Sequence, residues 1–396
     1  MVTAEDDRFQ GRGDFVWILG YAGLISAADN WIVAPVLPSV AAGIHVSIPQ
    51  ASAILTAYMI PYGFMQPVHG YFSERRGRAW LLHRLVLGLA LGTLGCALSP
   101  SLFLLCAFRF VTGFFAAGLI AVSLAFIGDH APPTLRHTYV GRFMGIVFCG
   151  QGVSIGLGGL LAQYISWRII FLLFAVAALS ANIFLRRLPE DSIARSQLNF
   201  AAQMKAALGT RAACTIYTLA LATGFLLLGI YSFAGSYLQK PGGLDPLKAG
   251  GLVMFFGFAC LVAGRRAGRL SAAVSQKGTI LIGSALAISS PLLFAVSSNW
   301  KAGWLAIVAL GMGYVLIQST LATLAFDVGL NGVSSALVGL GLFGGGGIGT
   351  FVGGTILANH GYRALWPLFG VGTAVLFVVV STPAMKLSFS QTTKIT

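Results

Sequence analysis

Along the chain, apolar residues gather in long runs separated by short polar connections, with none of the two-residue alternation that marks half-buried strands. A hydrocarbon core of about 30 Å takes roughly 20 helical residues to cross. Twelve runs are long enough: 16–40, 51–72, 79–99, 102–127, 140–163, 168–186, 212–237, 248–268, 278–297, 302–326, 333–357 and 362–384. The pattern predicts an all-α membrane protein of twelve transmembrane helices.

The longest connection, Arg186 to Arg211, is polar, basic and central. It predicts a six-helix half over 1–186, a linker over 187–211 and a second six-helix half over 212–396. The halves also look alike. At a constant offset, VFCGQGVSIGLGGLLAQYISWRIIFLLF (147–174) lies on LFGGGGIGTFVGGTILANHGYRALWPLF (342–369), matching Phe148, Gly150, Gly152, Arg168 and Phe174 to Phe343, Gly345, Gly347, Arg363 and Phe369. Glycine coincidence alone would not carry the Arg and Phe matches, so duplication is the reading. Paired halves that rock around a midplane site are a known transporter plan.

Composition agrees: 57% of residues are hydrophobic, 9% are charged and the mean hydropathy is +0.84. The net charge of +14 is spread over short connections rather than one stripe, so no nucleic-acid partner is expected. It reports topology instead. With both ends inside, cytoplasmic segments hold all the Lys and Arg except Arg168, Lys240, Lys248, Lys301 and Arg363 outside and Arg109 within a span. That asymmetry places both termini in the cytoplasm. The acidic start MVTAEDDRFQGRGD does not resemble a cleaved signal peptide. The five cysteines sit in apolar runs without CxxC or nearby His, which suggests small buried hydrophobes and no metal or other cofactor.

Some positions break the apolar pattern. In SAADNWIVAPVLP (26–38), Asp29 is the only acid deep inside a span; the other ten lie in tails, connections or span ends. It lies 13 residues past Val16, roughly 20 Å in at 1.5 Å per residue. Arg109 lies roughly 10 Å below the opposite surface. The depths agree, so both are expected to face one central cavity, with the cation keeping the carboxylate ionised until a proton or substrate arrives. Two blander roles stay open: a static ion pair pinning spans one and four, or Asp29 capping a polar kink beside Asn30.

Further motifs follow. GYFSERRGRAW (70–80) offers Gly70 and Gly77 for close helix approach, and Glu74, Arg75 and Arg78 as a charge cluster at the inner surface. This loop resembles the signature of the major facilitator superfamily, Gly, x, Leu, Ala, Asp, Arg, x, Gly, Arg, Arg or Lys, with Glu74 in place of Asp and Phe72 in place of Leu. The resemblance implies a latch on the cytoplasmic gate. Span four carries Arg109 four residues before Gly113, similar to the family's Arg, x, x, Gln, Gly with Thr112 in the Gln position. In span five, Gly141, Gly150, Gly158 and Gly159 match the spacing of a motif held to mark the drug/proton antiporters, while Ser154 and Ile155 replace its Gly-Pro. The first span is similar to that group's acid followed by a branched-apolar run and Leu-Pro.

Polar or amphipathic residues within spans tend to face a cavity. Asn30, Trp31, Tyr58, Tyr62 and Gln66 in the first half, and Gln151, Tyr231, Tyr314 and Gln318 further on, are the candidate liners. Their mix suits an amphipathic organic compound. The expectation is a proton-coupled exporter acting as a monomer in a bacterial-type inner membrane, with uptake of a metabolite as the alternative. A membrane enzyme would need an acid/base or metal cluster, and HAPPTLRH (130–137) offers only two distant His. A receptor or scaffold would usually add a soluble module, and a channel has no need of two rocking halves.

Overall fold

A computed structural model describes residues 14–46, 48–51, 53–189, 199–239, 241–297, 299–328 and 331–382. Every regular element in it is helical. The first six spans use α1 (Asp14–Trp31), α2 (Val33–Ile44), α3 (Ala53–Arg76), α4 (Arg78–Leu98), α5 (Leu102–His130), α6 (Arg136–Tyr164) and α7 (Trp167–Leu185). A short α8 (Phe200–Leu208) follows, then α9 (Arg211–Thr223), α10 (Gly229–Gln239), α11 (Pro246–Val253), α12 (Phe255–Val296), α13 (Trp300–Val328), α14 (Asn331–His360) and α15 (Tyr362–Ser381).

Among the described residues nine helical stretches are long and apolar enough to cross a membrane, or ten with α1 and α2 counted as one bent span. Two features reconcile this with twelve. The stretch Leu247–Val296 runs 50 residues and covers two predicted spans, and its backbone breaks at Ser275 (φ 73°, ψ 165°). The second predicted span is α3, whose Pro61, Pro67 and polar end lower its hydropathy. The helical architecture is therefore consistent with twelve crossings.

The 59° bend between α1 and α2 falls just after Asp29 and Asn30. Pro35 explains it, since a proline in a helix removes one N–H donor and crowds the preceding turn. A π-turn over Gly224–Leu228 similarly interrupts span seven between α9 and α10. The two first-of-half spans are thus both irregular, and irregular backbone at membrane depth is tolerated where it is buried in protein.

Glycines bring the bundle together. A Cβ on Gly141 or Gly152 of α6 would lie within 3 Å of Gly264 or Gly257 of α12, one on Gly156 would lie within 3 Å of Met254 just before α12, and Gly145 would meet the Cys260 carbonyl oxygen at 2.9 Å. These positions share one helical face, so α6 and α12 pack backbone to backbone. The other face of α6 serves span one: a Cβ on Gly150 would meet the Leu24 carbonyl oxygen at 2.6 Å, and on Gly158 it would meet Pro35 Cγ at 2.5 Å. Gly345 repeats the first contact in α14, 2.1 Å from the Leu221 carbonyl oxygen of α9. The internal sequence match therefore recurs as a matching helix contact. The linker is partly structured too, with α8 packing Phe200 on Tyr71 at the end of α3.

Candidate functional site

Asp29 leaves α1 toward α4 and α5 and meets Arg109, whose Nη1 donates to Oδ2 at 3.1 Å. Both side chains are fully buried, at 1% and 0% exposure. The Thr93 hydroxyl of α4 donates to the other carboxylate oxygen at 3.4 Å. Arg109 Cζ lies 4.4 Å from the Tyr58 ring centroid and 5.7 Å from that of Phe171. Among the described residues its Nε and Nη2 have no hydrogen-bond partner, so the Tyr58 ring face is the nearest compensation for half of the guanidinium. Gly113 makes the arrangement possible, because a Cβ there would lie 2.2 Å from the Tyr58 carbonyl oxygen. The Asp29 carboxylate is directed to Arg109 and Thr93 rather than to the bend in its own helix.

A central pocket lies beside the pair, lined by Ser26, Asn30, Trp31, Tyr58, Tyr62 and Gln151 with apolar Ala27, Ile120, Val147, Phe148 and Phe343. Asp29 and Arg109 are expected from the sequence to face the cavity; neither is among the residues that line this pocket. On α1, Ser26, Ala27, Asn30 and Trp31 present one helical face to the pocket, while Asp29 sits on the flank that packs into spans three and four. Tyr58 is the partition, touching the pocket on one side and the guanidinium on the other. The cavity volume is only about 10 Å³, room for roughly a single water and far short of the roughly 300 Å³ at which ligand clefts begin. The centre is closed around itself in this state.

Five of the nine proposed liners are in the wall; Gln66, Tyr231, Tyr314 and Gln318 are not. Tyr231 packs its ring against Trp31 at 5.8 Å, and Tyr314 stands behind Phe148 at 4.7 Å, so these two form a second aromatic layer. Gln66 projects at Gly339 of α14, where any Cβ would collide with its Oε1. Gln66 Nε2, the Tyr314 hydroxyl and Gln318 Oε1 are buried without a hydrogen-bond partner among the described residues. Orphaned buried polar groups are rare and ask for an explanation.

The gate-loop residues divide. Gly77 alone joins α3 to α4 at φ 95°, a conformation glycine adopts without strain. Arg78 turns inward, its Nε donating to Asp129 at the end of α5 and its Nη1 to Ser73 Oγ at 3.1 Å. Ser73 in turn donates to the Gly70 carbonyl oxygen at 2.6 Å. Arg75 lies outside on the Tyr71 ring, and Glu74 is half-buried with contacts of its own. Asp129 is the member that sequence reading missed, since at a span end it resembles any surface acid. Its position two residues past the predicted end of span four was the available signal.

Of the span-five motif, Gly141 packs on the second set of spans, whereas Gly150 and Gly158 pack on span one. Ser154 donates to the Gln151 carbonyl oxygen at 2.9 Å within its own helix. Gly159 lies within α6. A polar tie crosses between the sets: the ring Nε2 of His137 and the Thr320 hydroxyl lie 3.2 Å apart.

The sequence model of the Major Facilitator Superfamily matches residues 19–333. Relatives named "Putative multidrug resistance protein MdtD" are 28% identical over 242 residues in Cronobacter sakazakii, covering 60% of this chain and 47% of that protein, and 26% identical over 248 residues in Yersinia enterocolitica, covering 59% and 51%. This chain therefore spans about half the length of those relatives. Among solved structures, the human organic anion transporter MFSD10 (TETRAN) superposes with a TM-score of 0.76 at 16% identity, covering 92% of this chain and 98% of that one. The proton:xylose symporter XylE gives 0.72 at 14% identity, covering 92% and 94%. At those identities the likeness establishes the fold. With its family match running from the first span into the eleventh, this multi-pass membrane protein belongs to the Major Facilitator Superfamily.

Proposed function

We propose that this transporter exports an amphipathic organic compound in exchange for protons, with Asp29 as the proton-binding group and the two six-span halves rocking about the central pocket. The observation that carries the reading is the fully buried Asp29–Arg109 pair separated from the pocket by one residue, Tyr58. A charge pair at this depth is expensive to keep unless it works. In the proposed cycle, protonation of Asp29 frees the guanidinium to lean on Tyr58, and a compound displacing Tyr58 returns it to the carboxylate. Substrate and proton then oppose each other, as exchange requires.

Other features support the same reading. The wall combines aromatic faces with the amide groups of Asn30 and Gln151 and carries no ionised side chain, which suits an amphipathic compound. The closed pocket needs a second arrangement to admit one, and the orphaned groups of Gln66, Tyr314 and Gln318 gain water or substrate when it opens. The glycine seam between α6 and α12 is the surface that has to part. The multidrug-resistance name of the relatives favours export. Uptake is the second reading, favoured by Ser154 and Ile155 standing where the exporter motif has Gly-Pro. The proposal keeps both termini cytoplasmic, in a bacterial inner membrane, with a monomer as the working unit.

The test is purified protein in proteoliposomes with an imposed pH gradient, given rhodamine 6G and a set of uncharged aromatic compounds. Compound-dependent proton movement supports the reading. Accumulation of a compound without proton movement contradicts it.

A further inference from the structure

Outside the bundle, α4 carries a stripe of exposed residues one to two turns apart: Trp80, Arg84, Leu87 and Leu91. Leu87 is 40% and Leu91 58% exposed, so this face of span three meets lipid. Arg84 lies within the stripe, six residues after α4 begins at Arg78, roughly 9 Å along its axis. Its guanidinium lies 3.6 Å from the Trp80 ring centroid. Arg76, at the end of α3, approaches the same ring at 5.6 Å. Two cations thus share one indole. Among the described residues neither of them pairs with a carboxylate.

This contrasts with Arg78 between them in sequence, which turns into the bundle and finds Asp129. Arg78 has a protein anion, and among the described residues Arg76 and Arg84 do not. Two guanidiniums on one side chain repel each other, and near hydrocarbon the repulsion is poorly screened. An anion between them would remove that cost. It must reach a guanidinium that faces acyl chains, with Leu87 and Leu91 continuing the apolar stripe deeper into the membrane. A phospholipid meets both conditions, offering a phosphodiester at the level of Arg84 and a chain along the leucines. A lipid with net negative charge is preferred over a zwitterionic one, whose own cation would be repelled.

We propose that Arg76, Trp80 and Arg84 form a binding site for one anionic phospholipid, its phosphate held by the two guanidiniums and its acyl chain running along Leu87 and Leu91. The site adjoins Gly77, the single-residue turn of the gate loop, so an occupied site anchors the outer side of the loop whose inner side is latched by Arg78 and Asp129.

The test uses the full chain in vesicles of phosphatidylcholine containing phosphatidylglycerol, with one lipid or the other brominated on its acyl chains at equal mole fraction. The Trp80 contribution to fluorescence is isolated by difference from Trp80→Phe. Brominated phosphatidylglycerol is expected to quench Trp80 roughly fivefold more effectively than brominated phosphatidylcholine, the preference one arginine near a membrane surface supplies. Arg84→Gln and Arg76→Gln each reduce the preference, and the double variant abolishes it. Arg269→Gln, an equal loss of exposed charge in a different span, leaves it unchanged. Added inorganic phosphate does not compete, which separates a lipid site from a free-anion site. Equal quenching by the two lipids, a preference that survives in the double variant, or competition by phosphate each overturns the proposal.

Discussion

Tyr58 holds the Arg109 guanidinium 4.4 Å from its ring centroid while lining the central pocket, so one side chain touches both the pocket and the buried charge pair. Its stack on Tyr62, at 5.5 Å and 19°, fixes the ring orientation from the pocket side. Any molecule that enlarges the pocket at this wall moves the ring that Arg109 rests on.

From this, the ring face rather than the hydroxyl of Tyr58 is what matters. Tyr58→Phe is expected to keep compound-driven proton release near the wild-type level. Tyr58→Leu is expected to bind compound yet release protons about five- to tenfold less well, in line with the loss of a desolvated cation–ring contact. Dye binding and proton release measured on the same sample with a pH indicator check both.

Removing one member of the pair leaves the other buried and uncompensated. Arg109→Gln should destabilise the protein by about 3–5 kcal/mol, and Asp29→Asn added to it should recover most of that loss. Unfolding in mild detergent followed by urea titration measures it. A double variant no more stable than Arg109→Gln would show that the two side chains do not depend on each other.

The glycine seam predicts a conformational effect. A Cβ on Gly264 would lie 2.2 Å from the Gly141 carbonyl oxygen, so Gly264→Val wedges α12 away from α6. Overpacking of this kind costs roughly 1–3 kcal/mol, enough to shift a two-state balance about tenfold. Cys260, which is buried in the same seam, should react with maleimide about that much faster, as peptide mass spectrometry can read. Gly63→Ala, with no heavy atom within 4 Å of the added carbon, is the matched control.

The ion pair between Arg78 and Asp129 predicts that Asp129→Asn slows transport while leaving compound binding intact. Exchanging the charges, Arg78→Asp with Asp129→Arg, should recover part of the rate because the partners still meet. Initial rates of dye efflux from vesicles, set beside equilibrium dye binding, separate the two effects.

Much of this was legible before any coordinates. Long apolar runs gave the helices, since spanning a hydrocarbon core imposes length and polarity together. Asp29 and Arg109 were found from depth alone, because a charge inside a span stands out against so few others. The direction they face was not, since a helical face shifts by 100° per residue and neighbouring Asn30 points to the pocket while Asp29 points away. Asp129 stayed hidden because an acid at a span end looks solvated until a distant arginine is seen to reach it. The partners of the span-five glycines were not legible either: Gly145 and Gly152 meet α12, whereas the motif positions Gly150 and Gly158 meet span one. A sequence motif records spacing and not the partner each position finds.

The most direct test of the whole account is Asp29→Asn in proteoliposomes, comparing efflux driven by a pH gradient with exchange of labelled for unlabelled rhodamine 6G at uniform pH. If Asp29 carries the coupled proton, the variant loses gradient-driven accumulation and retains exchange, because alternating access survives without a proton to bind. If gradient-driven accumulation persists at the wild-type level, or both activities fall together with the folded fraction, Asp29 only holds spans one and four together and the proposed coupling is wrong.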